Sequence, residues 1–394
     1  MTRNDATTPQ EQAQEICASR RDLVIGLPTC DSQFERRFPL TPEAAGLLIE
    51  RGFRVKMQEN AAACINYSDN SYMRSGVEIT TREEALKSDI VIHLAPLSVA
   101  DVRKMRRGAM LLTLLNPDNQ DREALKELLE RHIISIAVDL IEDSCGCTPF
   151  ADILAEIDGR ASIAMASSLL ADATRGKGIL LGGVAGIIPC ETLILGSGIA
   201  ACAAARSAVG LGATVRMYDN DVYSLRRVRQ ELGDWVITST LHPHTLENAL
   251  RSADVVIATP MCEPFAIGRE LTGIMKRGVL SFDLSSDTGS TFPAMTAVDL
   301  ADAFAVSNSA SLSERVCFVH AGCAVARTAA MALGNTFLTL MNSIVNCEGI
   351  TNALKLLPGI QKATFTFFGR IVNSRIARAA GMRSVDISIY LTLS

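Results

Sequence analysis

Short apolar runs rich in Val, Ile and Leu recur along this chain, separated by stretches in which apolar positions return every three or four residues. The first pattern suits strands buried on both faces and the second suits amphipathic helices. Their alternation predicts βαβ units building parallel sheets. Strands are expected at 22–28 (DLVIGLP), 53–58 (FRVKMQ), 89–95 (DIVIHLA), 109–115 (AMLLTLL) and 133–140 (IISIAVDL). A second series follows in ETLILG, TVRMYD, WVITST, DVVIAT, VLSFDL and VCFVH.

The two series share sequence as well as pattern. ALKSDIVIHLAP (85–96) is echoed by ALRSADVVIATP (249–260), and MRRGAML (105–111) by MKRGVLS (275–281). In each copy a helix ends before a buried strand, and a basic residue and glycine close a further helix before the next strand. The chain therefore reads as two doubly wound parallel-sheet, Rossmann-like domains of related plan. Between them lies a helix of small residues and a glycine-rich loop (161–189); after them comes a helical pattern over 324–346. A final helix, FFGRIVNSRIARAA, is expected to stop at Gly381. The C-terminal segment is too short to fold alone. The expected division is a polar extension over 1–21, a first domain over 22–150 and 327–394, and a second over 151–326.

Within the second domain, LILGSGIAACAAARSAVGLGATVRMYDND (193–221) places Gly196, Gly198 and Ala201 at the G-x-G-x-x-G/A positions between a strand and a helix. Gly196 permits the tight turn, Gly198 lets a pyrophosphate approach the backbone, and Ala201 permits close helix–strand packing. The backbone of Ser197, Gly198, Ile199, Ala200 and Ala201 then offers helix N-terminal N–H groups to the phosphates. Asp219, 23 positions after Gly196, closes the next strand, where a carboxylate accepts hydrogen bonds from ribose hydroxyls and repels a 2′-phosphate. NAD is the expected cofactor.

Composition narrows the partners. A net charge of −5 over 394 residues gives no basic field, which argues against nucleic acid. Arg103, Lys104, Arg106 and Arg107 read as a solvated helix end. The apolar stretch 178–205 is interrupted by Pro189 and Glu191, so no membrane span is expected there. The first residues lack the apolar core of a secretory signal, and eleven cysteines without a framework fit a reducing compartment, so a cytoplasmic protein is expected. Cys145 and Cys147 form the one close pair and lack a second pair at zinc spacing.

Four stretches, GLPTCDSQFERRFPLTPEAAGLLIERGFRV, GKGILLGGVAGIIPCETLILGSGIAA, GLGATVRMYDND and ARTAAMALGNTF, together resemble the alanine dehydrogenase and nicotinamide nucleotide transhydrogenase α-subunit family. The resemblance runs from about residue 22 over nearly the whole chain, and the glycine loop at 182–189 is more similar to the dehydrogenase branch. It implies an active site in the cleft between the domains, NAD on the second domain, a homo-oligomer, and oxidative deamination of L-alanine to pyruvate and ammonia. The family's substrate-carboxylate arginine falls on Arg37 of ERRFPLTP, whose planar guanidinium suits that task. Neighbouring Arg36 reads as an arginine that pairs locally. The family's aspartate in the loop after the fifth strand falls on Asp287.

Two departures follow from the same resemblance. The catalytic lysine position falls on Ala95 and the catalytic histidine position on Asn116, and neither replacement ionises at neutral pH. Three substitutes stand close: His93, two residues before Ala95 on the same face of an extended strand; Asn116 itself, a hydrogen-bond donor that moves no proton; and His320, in place of a family asparagine beside the nicotinamide. His320 is expected at the N-terminus of the long helix, whose dipole favours neutral imidazole. The leading expectation is an NAD-dependent alanine dehydrogenase or close relative acting on an amino acid and 2-oxo acid. A non-catalytic NAD(H)-binding sensor, a saccharopine- or opine-type reductase, and a transhydrogenase domain are the alternatives.

Overall fold

The structure, a computed structural model, describes residues 23–32, 35–115, 120–174, 176–263, 265–285, 288–300, 302, 315–347 and 350–393. Asn116 and Asp287 lie outside the described residues. Two sheets carry the fold. The first holds β1 (Val24–Leu27), β2 (Arg54–Gln58), β3 (Glu78–Thr80), β4 (Ile90–Ile92), β5 (Met110–Thr113) and β6 (Ile134–Ala137). The second holds β7 (Glu191–Leu195), β8 (Thr214–Tyr218), β9 (Val236–Ser239), β10 (Val255–Ala258), β11 (Leu280–Asp283), β12 (Thr296–Asp299) and β13 (Val316–Val319). Its order is β12-β13-β11-β10-β7-β8-β9, all parallel.

The first sheet runs β15-β14-β6-β5-β4-β1-β2-β3, in which β14 (Thr364–Phe367) and β15 (Arg370–Ile371) return from the C-terminal segment. Without that antiparallel hairpin its order is β6-β5-β4-β1-β2-β3, the arrangement that β13-β11-β10-β7-β8-β9 repeats in the second sheet. Both are doubly wound about a central switch point, where ligand crevices form at the carboxyl ends of the strands.

The hairpin corrects the expected final helix. Residues 364–367 read Thr-Phe-Thr-Phe, the period-two alternation of a strand, and Phe368 and Gly369 both take positive φ (45° and 74°), as a tight hairpin turn requires. Helix resumes only at Ser374–Ala379, where Asn373 caps the Arg375 and Ile376 N–H groups. The short strands β3 and β12 were also not legible as apolar runs, because each lies at a sheet edge and carries exposed polar residues.

The repeated segments form the same device twice. Gly108 and Gly278 both turn the chain with positive φ (74° and 67°) after the matching Met-basic-Arg steps. Asp89 accepts the Val24 N–H at 3.0 Å and pairs with Arg106. Asp254 accepts the Glu191 N–H at 3.2 Å and pairs with Lys276 at 3.0 Å and Lys177 at 3.2 Å. Each aspartate thus pins the start of its sheet's central strand to the basic residue of the repeated turn. Arg103, from the same basic patch, pairs with Glu127.

Two long helices join the sheets. Pro149–Ala171 begins in the first core with Phe150 and Leu154 and ends in the second with Ala161, Ile163 and Leu170. Its Gly159 meets the helix Ile199–Gly210 so closely that a Cβ would lie 2.2 Å from the Ala200 carbonyl oxygen. Ala326–Asn346 packs Phe337 against Phe150, with ring centroids 4.8 Å apart. This second helix, with the turn before it, has the length and composition to cross a bilayer, but it buries Ala330, Leu333, Phe337 and Met341 in the first core.

Candidate active site between the two sheets

At the carboxyl end of β7 the two glycines do different things. Gly196 takes φ +101°, and a Cβ there would lie 2.2 Å from the Thr259 hydroxyl oxygen, which itself donates to the Leu195 carbonyl. No side chain fits. Gly198 has extended backbone and caps the twelve-residue helix Ile199–Gly210, and a Cβ there would meet nothing within 4 Å. The helix N-terminus therefore opens onto free space, a cradle that a side chain would fill and a pyrophosphate can enter. Ala201 is fully buried, as the close helix–sheet packing requires.

Asp219 is held rather than loose. Its Oδ2 accepts the Ser197 hydroxyl at 2.6 Å and its Oδ1 accepts the Asp221 N–H at 3.0 Å. The carboxylate thereby ties the glycine turn to the end of β8. A cavity of about 250 Å³ adjoins it, lined by Asp219, Asp221, Glu263, Met261 and Phe265 among others. Three carboxylates and apolar walls suit an adenosine and disfavour an added phosphate on its ribose. These residues fit NAD.

The opposite wall comes from the segment after β1. Arg37 is largely buried, and its guanidinium is already engaged: Nε donates to Glu35 Oε1 at 2.8 Å and Nη2 to Glu35 Oε2 at 2.6 Å. Glu35 also accepts the Arg37 backbone N–H at 2.9 Å. Burial alone would lower the guanidinium's pKa, and Glu35 more than offsets it, holding Arg37 well above its ordinary value. Arg36 turns outward to pair with Asp302.

This segment meets the turn that follows β13. Cys323 Sγ lies 3.7 Å from Glu35 Oε1, and burial pushes its thiol up to about 12. His320 takes a left-handed conformation (φ 56°) at the start of the 3-10 turn Ala321–Val325, so the long helix begins six residues later than its expected contact with His320. A carboxylate, not the helix dipole, addresses the imidazole: Nδ1 lies 3.1 Å from Asp299 Oδ2. Arg37 and His320 are thus brought to one place from two sheets.

His93 is placed elsewhere. Its ring is buried, with Nδ1 2.6 Å from the Ala95 carbonyl oxygen, and burial lowers its pKa. It stands beside the network in which Arg82 binds Asp101 bidentately at 2.9 Å and reaches the Thr29 carbonyl. Two carboxylates absent from the sequence-based expectations face the site. Asp139, just past β6, accepts the Leu115 N–H at 2.9 Å, and burial raises its pKa. Asp158, on Pro149–Ala171, accepts the Gly322 N–H at 2.7 Å. Each carried a sequence signal: an aspartate ending a buried strand at the carboxyl edge, and an aspartate inside a helix of small apolar residues.

Comparison with known proteins fits this geometry. The family model "Alanine dehydrogenase/PNT, N-terminal domain" matches residues 26–157 and "Alanine dehydrogenase/PNT, C-terminal domain" matches residues 162–374. The chain belongs to the alanine dehydrogenase/PNT family. Within that family it is 27% identical to alanine dehydrogenase of Geobacillus stearothermophilus over 374 residues, covering 94% of this chain and 100% of that protein. The alanine dehydrogenase of Mycolicibacterium smegmatis is 26% identical over 376 residues, again covering 94% and 100%. Among solved structures, an L-alanine dehydrogenase superposes with a TM-score of 0.80 at 24% identity, covering 91% of this chain and 99% of that one. A transhydrogenase from Sinorhizobium meliloti gives 0.71 at 19%, covering 89% and 99%. The family supports an oxidoreductase with a dinucleotide fold.

Proposed function

We propose that this chain is an NAD-dependent dehydrogenase of L-alanine or a closely related amino acid, forming a 2-oxo acid, ammonium and NADH from amino acid, NAD and water. One observation carries the reading. A buried guanidinium, Arg37, stands against the turn at the carboxyl end of β13, on the same edge of the parallel sheet as the open helix terminus at Gly198. A guanidinium suited to a carboxylate and a cradle suited to a dinucleotide therefore lie toward the same carboxyl edge.

A bound NAD supplies a hydride acceptor there. The chain's own residues do the rest: the N-terminus at Gly198 holds the pyrophosphate, Asp219 with Asp221 and Glu263 selects an unphosphorylated ribose, and Arg37 orients the substrate carboxylate. Glu35 occupies the Nε–Nη2 edge of that guanidinium, which leaves the edge containing Nη1 for the substrate. The expected outcome is NADH formation with at least one member of an L-amino acid panel between neutral and alkaline pH. Arg37→Lys, which loses the planar fork, should raise the KM at least about tenfold. Absence of NADH with every amino acid would refute the proposal.

The same Glu35–Arg37 pair favours a second reading, a dinucleotide-binding sensor without turnover, because an internal carboxylate already neutralises the guanidinium and Ala95 supplies no ammonium group. NADH binding without activity on any amino acid or 2-oxo acid would select it.

A further inference from the structure

The helix that joins the two cores carries a carboxylate with no part in the scheme above. Asp158 lies near the middle of Pro149–Ala171, between Leu154 of the first core and Ala161 of the second. Its Oδ1 accepts the Gly322 N–H at 2.7 Å, and a Cβ on Gly322 would lie 2.2 Å from that same oxygen. Glycine at 322 is what admits the carboxylate. Oδ2 makes no hydrogen bond among the described residues. The charged and titratable groups facing it are Glu35 and Arg37 from the segment after β1, and His320 and Cys323 from the turn after β13. Bound to the Gly322 N–H two residues past His320, Asp158 is within electrostatic reach of both the Arg37 guanidinium and the His320 imidazole.

We propose that Asp158 is the catalytic residue that takes the proton from the substrate's ammonium nitrogen, the task that Ala95 and Asn116 cannot perform. This rests on the dehydrogenase reading. One N–H bond of the ammonium breaks, its electron pair stays on nitrogen and the proton passes to Oδ2. With NAD bound as hydride acceptor, that pair would form the C=N bond as the Cα–H bond breaks and its electron pair leaves as hydride. A carboxylate in this position is suited to the transfer because burial holds it above the ordinary range, although the Arg37 guanidinium and the Gly322 N–H pull it down.

Asp158→Asn tests the assignment with little risk to folding, because the amide oxygen still accepts the Gly322 N–H. Binding of NADH and of 2-oxo acids, each followed by fluorescence titration, should stay within about twofold, while kcat for deamination falls about a hundredfold or more and its acidic limb disappears. Gly322→Ala, which displaces Oδ1, should lower kcat in the same way. Without cofactor, the infrared difference between wild type and Asp158→Asn should show a carboxyl band that titrates above the ordinary carboxylate range. If Asp158→Asn keeps kcat within about threefold, or loses binding together with kcat, the assignment is wrong while the dehydrogenase reading stands. If the wild type itself oxidises no amino acid, that reading falls and the assignment with it.

Discussion

Two glycines two positions apart separate what a backbone needs from what a ligand needs. Gly196 is required by the protein itself, through its positive φ and the Thr259 oxygen 2.2 Å from any Cβ. The fold itself does not require glycine at 198, since its φ of −77° suits any residue and the space before it is empty; the proposed phosphate does. Gly198→Val should therefore fold with an unchanged melting temperature yet weaken NADH binding about a hundredfold, roughly 2.7 kcal/mol, measured by titration calorimetry. Retained affinity would mean that the cradle holds something else. The glycine pattern was legible because its spacing is local. The place of Asp158 was not, since it meets Gly322 across 164 residues of sequence.

At the scale of elements, the internal repeat fixed more than strand positions. The two copies share a helix, a buried strand and a basic turn, and the structure gives both an aspartate clamp on a central strand. Burial alone would raise the Asp254 carboxyl, but Lys276, the Glu191 N–H and Lys177 together hold it below its ordinary value. A depressed folded pKa contributes stability above the unfolded value, near 4, and that contribution is lost as pH falls through the folded value. Asp254→Asn should cost about 1–3 kcal/mol at neutral pH by chemical denaturation, with the gap to wild type closing in acid. A constant gap at every pH would contradict the clamp. The C-terminal hairpin is masked in the sequence because Phe367 and Phe368 continue the apolar period of a helix, whereas the Thr-Phe alternation over 364–367 carries the strand signal.

The whole molecule is two copies of one strand order, tied by two long helices and completed by a returning hairpin. That architecture follows from apolar runs alternating with amphipathic stretches, so it was readable from the chain. The site was readable in parts: the glycine turn from spacing, and Arg37 and an active site in the cleft between the domains only from family resemblance. It is created by tertiary contacts between the 35–37 segment, the turn after β13 and the helix that passes between them. With Ala95 in place of an ionisable group, the titratable groups around Arg37 among the described residues include Glu35, Asp139, Asp158 and Cys323, with His320 beside Asp158. Hydride transfer from an amino acid is the property that most directly tests the proposed dehydrogenase. Incubation with NAD and L-alanine deuterated at Cα, or the amino acid best oxidised in its place, followed by mass analysis of the dinucleotide, is the direct measurement. Deuterium transferred to the nicotinamide ring is the predicted result; a dinucleotide that binds but never acquires the label from any amino acid would contradict it.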